Sequence, residues 1–79
     1  MTGPQIRAAR GLIGWSAQRL ANVSKVSLAT IQRAEKDNGD MRMIAANTEA
    51  VRRTLEEAGV EFIPENGGGA GVRMKDKRM

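Results

Sequence analysis

Cysteine, histidine and tyrosine are absent from this 79-residue chain, and the aromatic side chains come down to Trp15 and Phe62. Without cysteine there is neither a disulfide framework nor a thiolate metal site. Without histidine the commonest general base and metal ligand is missing. No apolar run approaches the roughly 20 residues needed to cross a bilayer. The N-terminus also lacks the basic-then-apolar layout of a secretory signal. A soluble, cytoplasmic protein with no membrane partner, no metal and no cofactor is therefore expected. Enzymatic chemistry is a poor reading. Only Asp, Glu, Ser, Thr and Lys remain to perform it, and Gly67-Gly68-Gly69 follows Pro64 and opens no helix, unlike a phosphate-binding loop.

Charge is plentiful but unevenly placed. The net charge of +4 divides into +4 through Arg42, −3 from Met43 to Asn66, and +3 from Gly67 onward. A basic front and tail around an acidic middle suggest a polyanion met by one face of the molecule. A solvated surface of mixed charge is the competing interpretation. A chain of this length holds one small domain with a modest core, and such domains often gain stability from a partner subunit.

The apolar spacing predicts short helices. Pro4 suits a first helical turn, and Ile6, Ala9 and Ile13, with Leu12 beside them, follow helical periodicity over about 4–13. Gly14 can stop that helix. Ser16 is a good N-cap for a helix over about 17–23 with Leu20 and Ala21 inward. Ser27 caps a third over about 28–36, with Ile31 and Ala34 inward and Val26 in the corner before it. Small Ala21 opposite Ile31 would let these two helices approach closely at a steep angle, as in a helix-turn-helix.

Asp37-Asn38-Gly39-Asp40 is a turn cluster. Met41–Ala46 reads as an irregular loop or a short turn burying Met43 or Ile44. Asn47 or Thr48 can cap a fourth helix that carries Val51, Leu55 and Ala58 on its apolar face and stops at Gly59. Val60-Glu61-Phe62-Ile63 is β-rich and halted by Pro64, and Gly71-Val72-Arg73-Met74 can return as a second strand. Such a hairpin is marginal alone. It must lean on the helices or on a second subunit; the alternative is a frayed tail. Met1 and Lys75–Met79 are expected to be loose ends. The organisation is thus a helical domain over 1–59, a strand or hairpin extension over 60–74, and a tail over 75–79.

Gly14-Trp15-Ser16, Leu20-Ala21, Val26-Ser27, Ala29-Thr30-Ile31 and Glu35 resemble the Cro/cI-like helix-turn-helix family, also called the xenobiotic-response-element type. The resemblance covers residues 4 to about 36 well and extends loosely to Gly59. The stretch Gly59 to Gly69 is also similar to an ending found in a subset of short bacterial regulators of this kind. Two departures stand out. Lys25 occupies a turn position where the family usually has glycine, at a cost of about 1 kcal/mol for a left-handed backbone. Ala34 stands where many members carry a larger apolar residue. The resemblance implies a mainly α, compact four- to five-helix domain with a short C-terminal β-strand or hairpin. It further implies an ion pair between Arg10 and Glu35 where the ends of the first and third helices meet.

In such a domain the start and outer face of the third helix reach the bases: Ser27, Leu28, Ala29, Thr30, Gln32 and Arg33. The Arg33 fork matches guanine O6 and N7, although a phosphate contact is its rival role. Leu28 and Ala29 suit thymine methyl groups. Phosphate contacts are expected from Ser16, Gln18, Arg19, Lys25 and Arg42, with Arg19 open to being only a solvated helix charge. One such helix reads too few base pairs to select an operator, so a homodimer repeating the reader about 34 Å away is expected. Its interface would use Leu55, Val60, Phe62 and Ile63; the aromatic and the isoleucine have a rival role as monomer core.

The function implied is a sequence-specific double-stranded DNA-binding transcriptional regulator, a repressor or also an activator through RNA polymerase, associated with the nucleoid. The alternative is an antitoxin that binds a protein toxin and autoregulates its operon. A structural interaction module is a third possibility, distinguished by salt dependence, because binding through several cations weakens steeply as salt rises.

Overall fold

The computed structural model describes residues 1–36, 43–65 and 67–75, and its first helix begins with a reciprocal cap. Helix α1 spans Gly3–Ile13, preceded by Thr2, whose hydroxyl accepts from the Gln5 backbone N–H while the Gln5 side chain accepts from the Thr2 N–H. Both bonds serve donors that the first helical turn would otherwise leave unpaired. The helix ends at Gly14, whose left-handed backbone (φ 70°) is open to glycine without the Cβ penalty.

Helix α2 spans Ala17–Ser24, and its Ser16 hydroxyl accepts from the Arg19 N–H at 3.0 Å. Lys25 closes it in the left-handed region at φ 67°, the only non-glycine residue with positive φ among those described. Helix α3 spans Leu28–Lys36, and the Ser27 hydroxyl accepts from the Thr30 N–H as a cap does. Two residues therefore separate the left-handed stop of α2 from the first turn of α3. That tightness turns the chain sharply between two helices of eight and nine residues.

Helix α4 spans Ala45–Glu57 and starts earlier than Asn47 or Thr48 would allow as caps. Ile44 holds the cap position without any side-chain bond, and its carbonyl accepts from the Thr48 N–H at 3.0 Å. Two alanines, the best helix formers, extend the helix over a start with no capping side chain. Strands β1 (Val60–Ile63) and β2 (Gly71–Met74) then form an antiparallel hairpin in which Val60 faces Met74 and Ile63 faces Gly71. Between α4 and β1, Gly59 takes φ 105°, and a Cβ there would stand 3.0 Å from the Met74 terminal methyl. The architecture is a small, mainly helical domain of four helices and one short hairpin among the described residues.

One cluster of buried residues joins every helix to the hairpin. Ile6, Leu20, Ile31, Val51, Leu55 and Val60 are all fully buried. Each such side chain contributes about 1.5–3 kcal/mol relative to exposure. Trp15, Phe62, Val72 and Met74 pack around them, half-buried. Met1, expected as a loose end, is half-buried and packs against the same cluster.

The hairpin is held by an unforeseen contact. The buried Gln5 amide donates to the Gly71 carbonyl at 2.9 Å and, more weakly, to the Ile63 carbonyl at 3.4 Å. These carbonyls belong to facing residues at the loop end of the hairpin. One side chain thus caps α1 and pins the hairpin to it. On the outer face, Arg73 forms an exposed ion pair with Glu61 at 3.0 Å.

Candidate nucleic-acid interface

The ends of α1 and α3 are locked together by Arg10 and Glu35. Arg10 Nε donates to Glu35 Oε2 at 2.7 Å and its terminal nitrogen donates to Oε1 at 2.8 Å. A third guanidinium donor reaches the Trp15 carbonyl at 2.9 Å. The Glu35 side chain is only 9% exposed and that of Arg10 21%. The hydrogen bonds that Arg10 donates to Glu35, helped by the Glu35 charge and opposed by burial, hold the guanidinium above its ordinary range, so Arg10 keeps its charge at any working pH. The pair fixes the far end of α3 against the body of the protein.

Through Lys36 the chain has a single carboxylate, and that carboxylate is Glu35, enclosed by Arg10. Arg7, Arg19, Lys25, Arg33 and Lys36 are exposed and meet no carboxylate from the first three helices. Among the described residues the other carboxylates lie on α4, on β1 and at Glu65 after it, where Glu56 pairs with Arg52 and Glu61 with Arg73. The described residues of the first three helices therefore present cations almost alone, a field that attracts polyanions.

Within these helices, a shallow groove of about 550 Å³ runs along α2 and the turn into α3, between Gln18, Asn22, Lys25, Ser27 and Leu28. Gln18 donates to Asn22 at 2.9 Å, so its amide is already oriented along the groove wall. Asn22 was not among the expected contact residues. Its spacing of four from Gln18, which puts both on one helix face, is the signal that could have found it. Arg19 lies over the Trp15 ring, 4.8 Å from its centroid, so the indole holds the guanidinium beside the start of α2. The Ser16 hydroxyl accepts from the Arg19 N–H and keeps its own proton to donate.

Along α3, Ala29, Gln32 and Arg33 are exposed, Thr30 is half-buried, and Ser27 stands exposed at the start. Leu28 is half-buried and leans on the core as well as on the groove. Gln32 lies toward α1, where a second depression brings it beside Arg7, Glu35 and Lys36. Arg42 lies outside the described residues, as do the Asp37–Asp40 turn cluster and the tail cations Lys77 and Arg78.

Two of the four residues expected at a dimer surface are in the interior. Leu55 and Val60 are fully buried within a single chain and offer nothing to a second copy. Their apolar character serves the contact of α4 and β1 with α1 and α2 instead. Phe62 is half-buried, with the Arg52 guanidinium 5.7 Å from its ring centroid. Ile63 is half-buried and lies outside the core cluster.

Among the described residues there is no cluster of His, Cys, Asp and Glu suited to a metal ion, and no helix is long and apolar enough to cross a membrane. No protein-family model matches this chain, and no curated protein does either.

Proposed function

We propose that this chain is a sequence-specific double-stranded DNA-binding transcriptional regulator of the Cro/cI-like helix-turn-helix kind, acting as a dimeric repressor. The observation that supports this reading most is the segregation of charge. The three helices carrying the tight turn expose five cations, and their one carboxylate is bound internally. Phosphates meet Ser16, Arg19 and Lys25, which surround the start of α2 and the turn. Base edges meet the outward side chains of α3, because a short helix fits the roughly 12 Å wide major groove and reads it through its first turns. Repression requires no chemistry, since occupying a site that overlaps a promoter excludes polymerase.

A two-fold dimer supplies the second half-site. With Leu55 and Val60 interior, its surface is narrowed to Ile63 and the exposed part of Phe62. Ile63→Asp is expected to convert a dimer to monomers in a sedimentation experiment; an unchanged mass removes Ile63 from the interface.

The function itself is tested by selecting duplexes from a random DNA pool and following affinity against salt. A palindromic enriched sequence is expected, with a steep fall in affinity as salt rises. Arg33→Ala is expected to reduce discrimination among operator variants more than affinity for random duplex. Failure to enrich any sequence, together with capture of a protein by α4 or the hairpin, would favour the antitoxin alternative.

A further inference from the structure

The outward side chains of α3 are joined in a chain of hydrogen bonds that fixes which of them can accept and which can donate. The Ser27 hydroxyl donates to Thr30 Oγ1 at 2.8 Å while accepting from the Thr30 N–H at 3.2 Å. Thr30 Oγ1 also accepts from the Arg33 terminal nitrogen, at a long 3.5 Å. A hydroxyl has two acceptor positions and one proton. Both acceptor positions of Thr30 are occupied, so only its proton is left to point outward. Arg33 has donors alone and keeps four of its five after this contact.

The Ser27 hydroxyl, its proton given to Thr30, keeps one acceptor position at the start of the helix, so the surface that offers donors alone is the Thr30–Arg33 pair. Glu35 is buried, with both oxygens turned to Arg10. Leu28 and Ala29 have no side-chain acceptor. Gln32 keeps an acceptor, but it lies toward α1 beside Arg7 and Lys36 rather than along Ser27, Thr30 and Arg33.

Resting on the reading of this face as a DNA-binding surface, we infer that its Thr30–Arg33 pair is a donor-only reader selective for keto bases. In the major groove guanine offers O6 and N7 and thymine offers O4, all acceptors, whereas cytosine N4 and adenine N6 are donors that need an acceptor from the protein. Guanine stands under Arg33, and guanine or thymine stands next to it under the Thr30 proton. Ala29, with a bare methyl on the same exposed side, accommodates the thymine C5 methyl. Thr30 is the positioning residue: its hydroxyl, oriented by Ser27, holds the Arg33 fork before any duplex arrives, and less side-chain freedom is then lost on binding.

The test uses the full chain and the duplex enriched from a random pool. Replacing each guanine of the half-site in turn by 7-deazaguanine removes only N7, and replacing it by adenine turns the O6 acceptor into a donor. One position should lose about 5- to 150-fold in affinity, and it should lie beside a keto base on the same strand. Thr30→Val removes the hydroxyl without touching the Thr30 N–H that Ser27 caps. It should shrink that discrimination by about 2- to 12-fold, and Thr30→Ser should restore it. Sequence-specific binding in which the discriminated base is cytosine or adenine, or in which Thr30→Val discriminates as the parent does, overturns this inference and leaves the regulator reading intact. Binding with no sequence preference overturns both.

Discussion

Replacing Arg10 with methionine strands the Glu35 carboxylate, which is 9% exposed and receives two guanidinium hydrogen bonds at 2.7 and 2.8 Å. Removing one partner of a buried pair costs about 3–5 kcal/mol, because an uncompensated charge stays behind. Arg10 itself keeps 21% exposure, which places the expected loss at the lower end, about 3 kcal/mol. Total stability for a chain of this size is about 4–12 kcal/mol, so the variant forfeits from a quarter to most of it. With a urea m value of about 1 kcal/mol/M, the unfolding midpoint should fall by about 3 M. Replacing both partners together, as Arg10→Met with Glu35→Leu, removes the stranded charge. The double variant should return to within about 1 kcal/mol of the parent, the remainder being the Trp15 carbonyl that loses its donor. The exposed Arg52–Glu56 pair is the control, and Glu56→Gln should cost less than about 0.5 kcal/mol. A loss under about 1 kcal/mol for Arg10→Met, or a double variant as weak as the two singles summed, would refute the reasoning.

Three further substitutions probe other parts of the molecule. Lys25→Gly relieves a left-handed backbone and should raise stability by about 1 kcal/mol, seen as a gain of several degrees in melting temperature. The same change should reduce the slope of log affinity against log salt by about 1 if Lys25 meets a phosphate. Gln5→Ala leaves the half-buried Gly71 and Ile63 carbonyls without their Gln5 donor and opens the α1 cap, a loss of about 1–3 kcal/mol. Hydrogen exchange should speed up in the hairpin and at the start of α1 before it does so in α3. The Arg73 hydrogen bond, and then its charge, hold Glu61 below the ordinary carboxylate range. A carboxylate lowered in this way stabilises the fold above its unfolded value of about 4.3 and loses that contribution as pH falls through the folded value. Hairpin exchange should therefore accelerate on the acid side of about pH 4, modestly because the pair is exposed, and Glu61→Gln should abolish the acid-side change.

Local chemistry was readable in the chain where a side chain acts on its own neighbourhood. Ser16 and Ser27 mark helix starts because their hydroxyls serve N–H groups three residues on, and both bonds are formed. Gly14 ends α1 in the left-handed conformation that glycine favours. The start of α4 escaped because Ile44 caps it with backbone alone, which leaves no residue signature. Thr2 and Gln5 form a capping box whose three-residue spacing is as legible as Pro4. The bond from Gln5 to Gly71 had no signal at all, since 66 residues separate them and only tertiary packing brings them together. Leu55 and Val60 show a different limit. An apolar strand and an apolar helix stripe look alike whether they face a core or a partner; here α2 covers the stripe of α4 and α1 covers β1. At the candidate site the identities of the exposed side chains were legible. The Ser27–Thr30–Arg33 bonds and the Arg19–Trp15 stack depend on rotamers, which residue order does not specify.

The most direct measurement is an NMR titration of the labelled protein with its enriched duplex. Amide shifts should concentrate on Ser27–Arg33, with a second set at Ser16–Lys25, while the hairpin outer face at Glu61 and Arg73 stays unmoved by the DNA itself. Silence from Ser27 to Arg33 while other amides respond would contradict the assignment of α3 as the element that meets the bases.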